Sequence, residues 1–389
     1  MREYYSARIA IRKNFSLIHS SARLFQQYVV DQCVKIQDYR LTYLRSIQPS
    51  LRVESYHGVQ DYLSSLAEKR QKQSKSDKHV NIGKMVILPS TFTDSPRYLQ
   101  QKYQDAIAMV REFGKPDLFI TFTCNPKWKE ITDNIPEYQL VENRPDIVAR
   151  VFRLKYKELI REIVKDEIFG KVESYFGSIE FQKRGLPHLH LLLTLKSDYK
   201  FVTNEQIDKV VSAEIPDPEN YPELHALVKQ HMIHGPCGNL NRKSPCMILA
   251  KKSSRSQVCS KHFPKDFSDE TIINNNGYPV YRRRQRGTKG GFIANIGKKG
   301  RHFIIDNRWV VPYNPYLIKR YRGHINVEIC SSIMSVKYLY KYILKGNDTA
   351  TFEIVTYDGE KETRLNYDEI SQFIHTRYVT PPEGARMYF

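Results

Sequence analysis

The sequence predicts an α+β protein: an antiparallel, palm-like sheet of split β-α-β order, covered by helices, with a helical N-terminal region and a zinc-binding insertion. Three observations carry this. Strand and helix patterns alternate in the order strand, helix, hairpin, insertion, strand, helix. Two strand-like runs are separated by only five residues, which is hairpin spacing. A long basic stretch between roughly 200 and 300 gathers three of the six cysteines.

Each element follows from local chemistry. In residues 1–85, "LFQQYVVDQCVKIQDYRLTYL" repeats Phe25, Tyr28, Val29, Gln32, Ile36 and Tyr43 near helical spacing, and Pro49 closes the pattern. The polar run "EKRQKQSKSDKH" from Glu68 to His79 reads as a linker or a phosphate-facing loop, and a boundary near residue 85 follows. Residues 86–200 open the second unit. A helix there is stopped by Gly114 and Pro116, and a strand over 117–123 follows at once. Pro145 starts another helix, with Val148, Val151, Phe152, Leu159 and Ile163 on one stripe. "ESYFGSIEFQ" and "HLHLLLTL" then form a hairpin over 174–195 around "KRGLP". Residues 201–300 are the insertion. Residues 301–389 return to the sheet with the strand "HINVEIC" and a serine-capped helix over 331–345 that Gly346 ends.

A chain of 389 residues with 41% hydrophobic and 26% charged residues buries ordinary cores and excludes wholesale disorder. Its net charge of +19, from 61 Lys and Arg against 42 Asp and Glu, points to a polyanionic partner. The 26 tyrosines and 18 phenylalanines supply aromatic faces for bases or for the core. No apolar run approaches the roughly 20 residues of a membrane span. "MREYYSARIA" has no signal-peptide hydrophobic region. A soluble intracellular protein without a membrane partner is the expectation.

The stretch "LPHLHLLLTL" sets two histidines on one strand face. His188, His190, Leu192 and Thr194 point one way, and Leu189, Leu191, Leu193 and Leu195 point to the core. A register that pairs Gln182 with His188 puts Glu180 across from His190, so imidazoles and a carboxylate or amide converge. N and O donors with open positions suit a divalent cation such as Mg²⁺ or Mn²⁺. On the helix over 331–345, Tyr340 shares the apolar face with Ile333, Val336, Ile343 and Leu344. Tyr338 and Tyr342 lie about 40° from each other and about 160° from Tyr340, away from the core. Lys341 and Lys345 add charge that favours a nearby phosphate.

In the insertion, His234, Cys237, Cys246, Cys259 and His262 have knuckle-like spacing, and four of the five would close a structural Zn²⁺ site. "YRRRQRGTKGG" offers Arg282, Arg283, Arg284 and Arg286 as a backbone clamp or a nuclear localisation run. Lys127 and Trp128 in "CNPKW", and Lys183 and Arg184 in the hairpin loop, are further candidates for DNA contact.

"FQKRGLPHLHLLLTL", "LFITFTCNPKW" and "INVEICSSIMSVKYLYKYILKG" together resemble the replication-initiator domain of Helitron rolling-circle transposases, a branch of the HUH nucleases. "HGPCGNLNRKSPCM", "CSKHFPKDF" and "DNRWVVPYNPYL" match as well, so the resemblance covers most of the chain. It implies a nuclear, metal-dependent strand transferase acting on single-stranded DNA at transposon ends and target, through a 5′-phosphotyrosine link and a free 3′-hydroxyl. The histidine pair falls on His188 and His190 and the nucleophiles on Tyr338 and Tyr342, while the pairing register names Glu180 as the third ligand, ahead of Gln182. His234, beside Cys237 in the family's HGPCG block, is preferred to His262. No G-x-x-x-x-G-K-[ST] loop is present, so a helicase is expected elsewhere on a longer polypeptide. A viral or plasmid replication initiator, or a DNA-binding domain without catalysis, are the other readings of the same residues.

Overall fold

A computed structural model of the chain describes residues 1–12, 15–51, 86–182, 185–249, 257–273, 279–287, 290–298, 301–330 and 368–388. Its centre is a four-stranded sheet made of β1 (Leu118–Thr123), β2 (Val172–Phe181), β3 (Pro187–Leu195) and β4 (Ile325–Ile329), in the order β4-β1-β3-β2 and antiparallel throughout. The six described helices named here are α1 (Arg23–Ser46), α2 (Pro96–Phe113), α3 (Pro145–Val164), α4 (Pro315–Tyr321), α5 (Glu369–Thr376) and α6 (Pro381–Arg386).

The leucine face of β3 is the main core. Leu189, Leu191, Leu193 and Leu195 are buried with Ile120 and Phe122 of β1 and Val327 of β4, under Val148, Val151, Phe152, Leu159 and Ile163 of α3. That stripe is the one the sequence predicts. Pro145 starts α3 because a proline at the first helical position gives up no needed N–H. Arg144 just before it holds Asp146 through two bonds of 3.0 and 2.9 Å.

The opposite face is not left bare, as strand alternation alone suggests. α2 lies over its far end, where Ala106, Tyr103, Met109 and Val110 pack on Phe119, Phe176, Leu192 and Cys330. Ser95 caps α2 by accepting from the Tyr98 N–H, and Gly114 at φ +84° ends it. At the hairpin end of this face sit the histidines, His190 buried and His188 half-buried.

The N-terminal helices are tied to the sheet domain. Phe25, Val29 and Ile36 of α1 are buried with Ala149 of α3 and with Ala385 and Tyr388. Of the stripe read from the sequence, Tyr43 is instead 59% exposed, and Cys33 and Leu41 are buried in addition. The chain near the expected boundary at 85 packs on both sides. Gln48 bonds both the N–H and the carbonyl of Ile87 at 2.8 and 3.0 Å, and Glu369 of α5 accepts from the Leu88 N–H and pairs with Arg97. The run 68–79 and the tyrosine segment 331–345 lie outside the described residues. So does residue 346.

Between β3 and β4 the insertion forms helices Asn204–Val210 and Pro222–His231 and three two-stranded ribbons, among them Met247–Leu249 paired with Gln257–Cys259. Glu214 organises its basic run, holding Arg284 through bonds of 2.9 and 2.6 Å and Arg282 at 3.3 Å.

Candidate functional site: a histidine strand and a cysteine ribbon

β3 is central, so every residue of its histidine face has neighbours on both sides. His188 stands opposite Glu180 of β2 and Thr123 of β1, and His190 opposite Ser178 and Thr121. The expected register is thus corrected by two residues. Gln182 is not across from His188, because it belongs to the turn: its N–H donates to the Leu186 carbonyl at 3.1 Å, and its own carbonyl accepts from Gly185 at 2.6 Å. Gly185 sits at φ +82°, where a side chain is strained and would crowd Pro382 at 3.3 Å. A shift of two keeps every side chain on its face. Glu180 therefore still meets the histidines, with Oε2 3.2 Å from His190 Nε2.

The two imidazoles are 4.5 Å apart between ring centroids, edge to face. His190 is buried, stacked 6.1 Å from Phe119, while His188 is half-buried at the open end. Thr123 Oγ1 lies 2.7 Å from His188 Nδ1. In the tautomer that carries the proton on Nδ1, this N–H donates to Thr123 and Nε2 carries the lone pair that a cation takes. Asn326 and Glu328 of β4 extend the polar face, bonded to each other at 2.9 Å. Thr123 and Asn326 escaped the sequence reading. Strand parity could place each on a face, but only the sheet order β4-β1-β3 puts them beside the histidines.

The cysteine ribbon is a different kind of site. His234, Cys237, Cys246 and Cys259 bring one ligand atom each to within 4.8 Å of all the others, and this group could hold a metal such as zinc. His262 stays outside it, as the preference for His234 expected, and stands at φ +56° in the turn after Cys259. Cys237 and Cys259 are buried against Ile305 and Trp309. Gly235 lets the chain pass, since a Cβ there would lie 3.2 Å from the Trp309 ring at φ +104°. His234 Nε2 is 3.4 Å from Cys259 Sγ, and its ring stacks on Phe263 at 4.3 Å.

Close packing shifts three of the four groups. Burial, with Cys246 and Cys259 beside it, pushes the Cys237 thiol up to about 12. Burial also raises Cys259, yet the backbone N–H groups of Phe263 and Lys261 and the neighbouring thiols outweigh it and hold that thiol below its ordinary range. Burial, then Lys261 and Lys265, lowers His234, so its imidazole is neutral and able to ligate. Three soft sulfurs and one imidazole in a closed, mostly buried set are the donor chemistry of structural zinc.

Several predicted DNA contacts are committed elsewhere. Trp128 is buried, packed near Phe122, and donates its Nε1–H to the Tyr321 carbonyl at 2.6 Å. Arg283 is buried as well. It donates to the carbonyls of Asn307 and Val310 at 2.6 and 2.8 Å, and burial lowers it to about 10. Arg282 and Arg284 are ion-paired to Asp208 and Glu214. Burying the Arg283 cation demands acceptors, and the insertion uses all three arginines as internal ties. Lys127 and Arg286 are exposed. Lys183, Arg184, Tyr338, Tyr342, Lys341 and Lys345 lie outside the described residues.

Residues 4–193 match the family model described as the Helitron helicase-like domain at the N-terminus. The chain is Helitron transposase-related. The matched span takes in β2, the turn and both histidines of the hairpin, and stops two residues short of the end of β3. The cysteine ribbon of this Helitron-related chain lies beyond it. No curated protein matches the chain. Among the described residues, no helix is long and apolar enough to cross a membrane.

Proposed function

We propose that this chain nicks and transfers single-stranded DNA as the HUH-type nuclease part of a rolling-circle transposase. The observation that carries the reading is the convergence of His188, His190 and the Glu180 carboxylate at the hairpin end of a central strand. An antiparallel sheet with its histidines on the middle strand, flanked by helices, agrees with a palm-like nuclease fold. So does the position of the tyrosine segment, directly after β4, whose last neighbour Cys330 packs on the histidine face.

A divalent cation, Mg²⁺ or Mn²⁺, held by His188, His190 and Glu180 would offset the charge that builds on the scissile phosphate. Thr123 fixes the imidazole that presents His188 Nε2. The hydroxyl of Tyr338 or Tyr342 gives up its proton and its oxygen attacks phosphorus. The P–O3′ bond breaks, leaving a 5′-phosphotyrosine and a 3′-oxygen that takes up a proton. Reversal with a new 3′-hydroxyl joins the strand. Lys341 and Lys345 would favour the tyrosinate and the phosphate alike.

The partners in this reading are transposon ends and target DNA, with a helicase on the same full-length polypeptide and the nucleus as the compartment. Incubation with a labelled single-stranded oligonucleotide and Mn²⁺, followed by denaturing electrophoresis, tests it. A protein-linked band that Tyr338→Phe with Tyr342→Phe abolishes is the expected result, and a band that survives the double change refutes the nucleophiles.

A further inference from the structure

A cleft of about 430 Å³ opens where α1, the loop before α2 and the C-terminal helices meet. Four arginines, Arg2, Arg40, Arg377 and Arg386, line it against two carboxylates, Asp94 and Glu383. Both carboxylates are taken by Arg377, at 3.7 and 2.9 Å. Arg2, Arg40 and Arg386 are exposed and make no ion pair among the described residues. Arg40 and Arg386 are instead held over aromatic rings, at 5.5 Å from Phe92 and 5.4 Å from Phe181. Ring stacking fixes a guanidinium while its N–H fork stays available to an acceptor.

The place of the cleft gives it a ligand. Phe181 is the last residue of β2 and pairs with Pro187, one step along each strand from Glu180 and His188, so its side chain lies on the other face of the sheet and the cleft reaches the histidines around the hairpin end. The hairpin turn also rests on the start of α6, where Gly185 approaches Pro382. The arginine cleft therefore adjoins the histidine hairpin through contacts that belong to both.

Resting on the nuclease reading for the identity of the strand, we infer that this cleft binds the phosphodiester backbone of single-stranded DNA running to or from the histidine site. Its volume is that of a site for one or two nucleotides, within the range of about 300–1,000 Å³ typical of small-ligand clefts. Three arginines with no ion pair among the described residues can make planar, bidentate phosphate contacts that read no sequence. The cleft would hold the strand in register while the hairpin does chemistry.

The test measures binding of a fluorescent oligothymidylate to the full chain by anisotropy across a salt series. Arg2→Gln, Arg40→Gln and Arg386→Gln combined should weaken binding at low salt about tenfold or more. The slope of log affinity against log salt should become shallower by about 2, since each single-strand phosphate contact contributes about 0.7. Arg40→Gln alone, at an exposed helix position, should lower the slope by about 0.7 without altering the melting temperature, which keeps the test valid if the triple variant folds poorly. Unchanged affinity and slope in either variant overturn the proposal. A mononucleotide that binds as tightly as the oligonucleotide overturns the strand assignment too. The covalent-adduct assay separates the two readings. An adduct formed by a triple variant with wild-type binding removes the cleft alone, whereas a wild-type chain that yields no adduct but loses its salt slope in the variant removes the nuclease and leaves the cleft.

Discussion

The histidine strand and the cysteine ribbon draw on overlapping ligand chemistry in opposite frames. On β3 the backbone ladder already fixes the imidazoles: His188 and His190 are two residues apart on a strand paired on both sides, and the leucines behind them are fully buried. The pairing of β3 on both sides holds these side chains in place through the backbone ladder alone. The ribbon has no such frame. Its strands are three residues long; Cys259 ends one of them, Cys246 just precedes the other, and His234 and Cys237 lie in the irregular chain before them. A site whose ligands are assembled from loops contributes to folding, whereas a site built on a rigid strand contributes to chemistry.

The contrast predicts opposite responses to losing a ligand. The largest effect belongs to the ribbon: Cys259→Ser, or a zinc chelator, should cost several kcal/mol and lower the melting temperature by about 10 °C or more. Calorimetry with metal analysis decides it, and a folded, metal-free sample with unchanged melting would erase the distinction. His188→Ala should do the reverse, leaving melting nearly unchanged while the covalent adduct falls by about two orders of magnitude.

A finer probe is Thr123→Val, which keeps the shape of the strand but removes the oxygen 2.7 Å from His188. The Mn²⁺ concentration needed for half-maximal nicking should rise about 10- to 100-fold, and Thr123→Ser should restore it. If valine is harmless, the hydrogen bond does not set the ring.

The smallest effect is a pH dependence on the insertion side. Burial, then His324 and Lys127, pushes His231 down to about 4. The folded chain keeps this imidazole neutral where the unfolded chain protonates it near its ordinary 6.5. Its contribution is complete above about pH 6.5 and is lost as the pH falls toward 4. The melting temperature should decline over that window, and His231→Gln should flatten part of the decline.

How much of this was legible in the sequence differs between the two regions for the same reason. Period-two alternation in "HLHLLLTL" assigned every side chain of β3 to its face, and the pairing of β2 with β3 followed from the short loop. The register missed by two because the loop's closing bonds, from Gln182 to Leu186 and from Gly185 to Gln182, have no pattern in the sequence. Cysteine spacing named the four residues that the structure brings together, plus His262, which stands at φ +56° in the turn after Cys259 and outside that group. The arginine run was legible as charge alone. Arg283 and Arg286, three residues apart, read alike, yet one is buried on backbone carbonyls and the other is exposed.

The sequence by itself determined what is local and periodic: the helices over α1, α2 and α3, the strands of the hairpin, the shared face of the two histidines, and the Helitron resemblance that residues 4–193 bear out. Tertiary structure alone decided which strand lies beside which, and therefore that Thr123 meets His188. It also decided that α2 covers half of the histidine face, and that arginines 346 residues apart, Arg40 and Arg386, line one cleft. Periodicity is set by bonds between near neighbours in the chain, while adjacency across a sheet or a cleft is set by which apolar faces bury one another, and that choice is made by the whole fold.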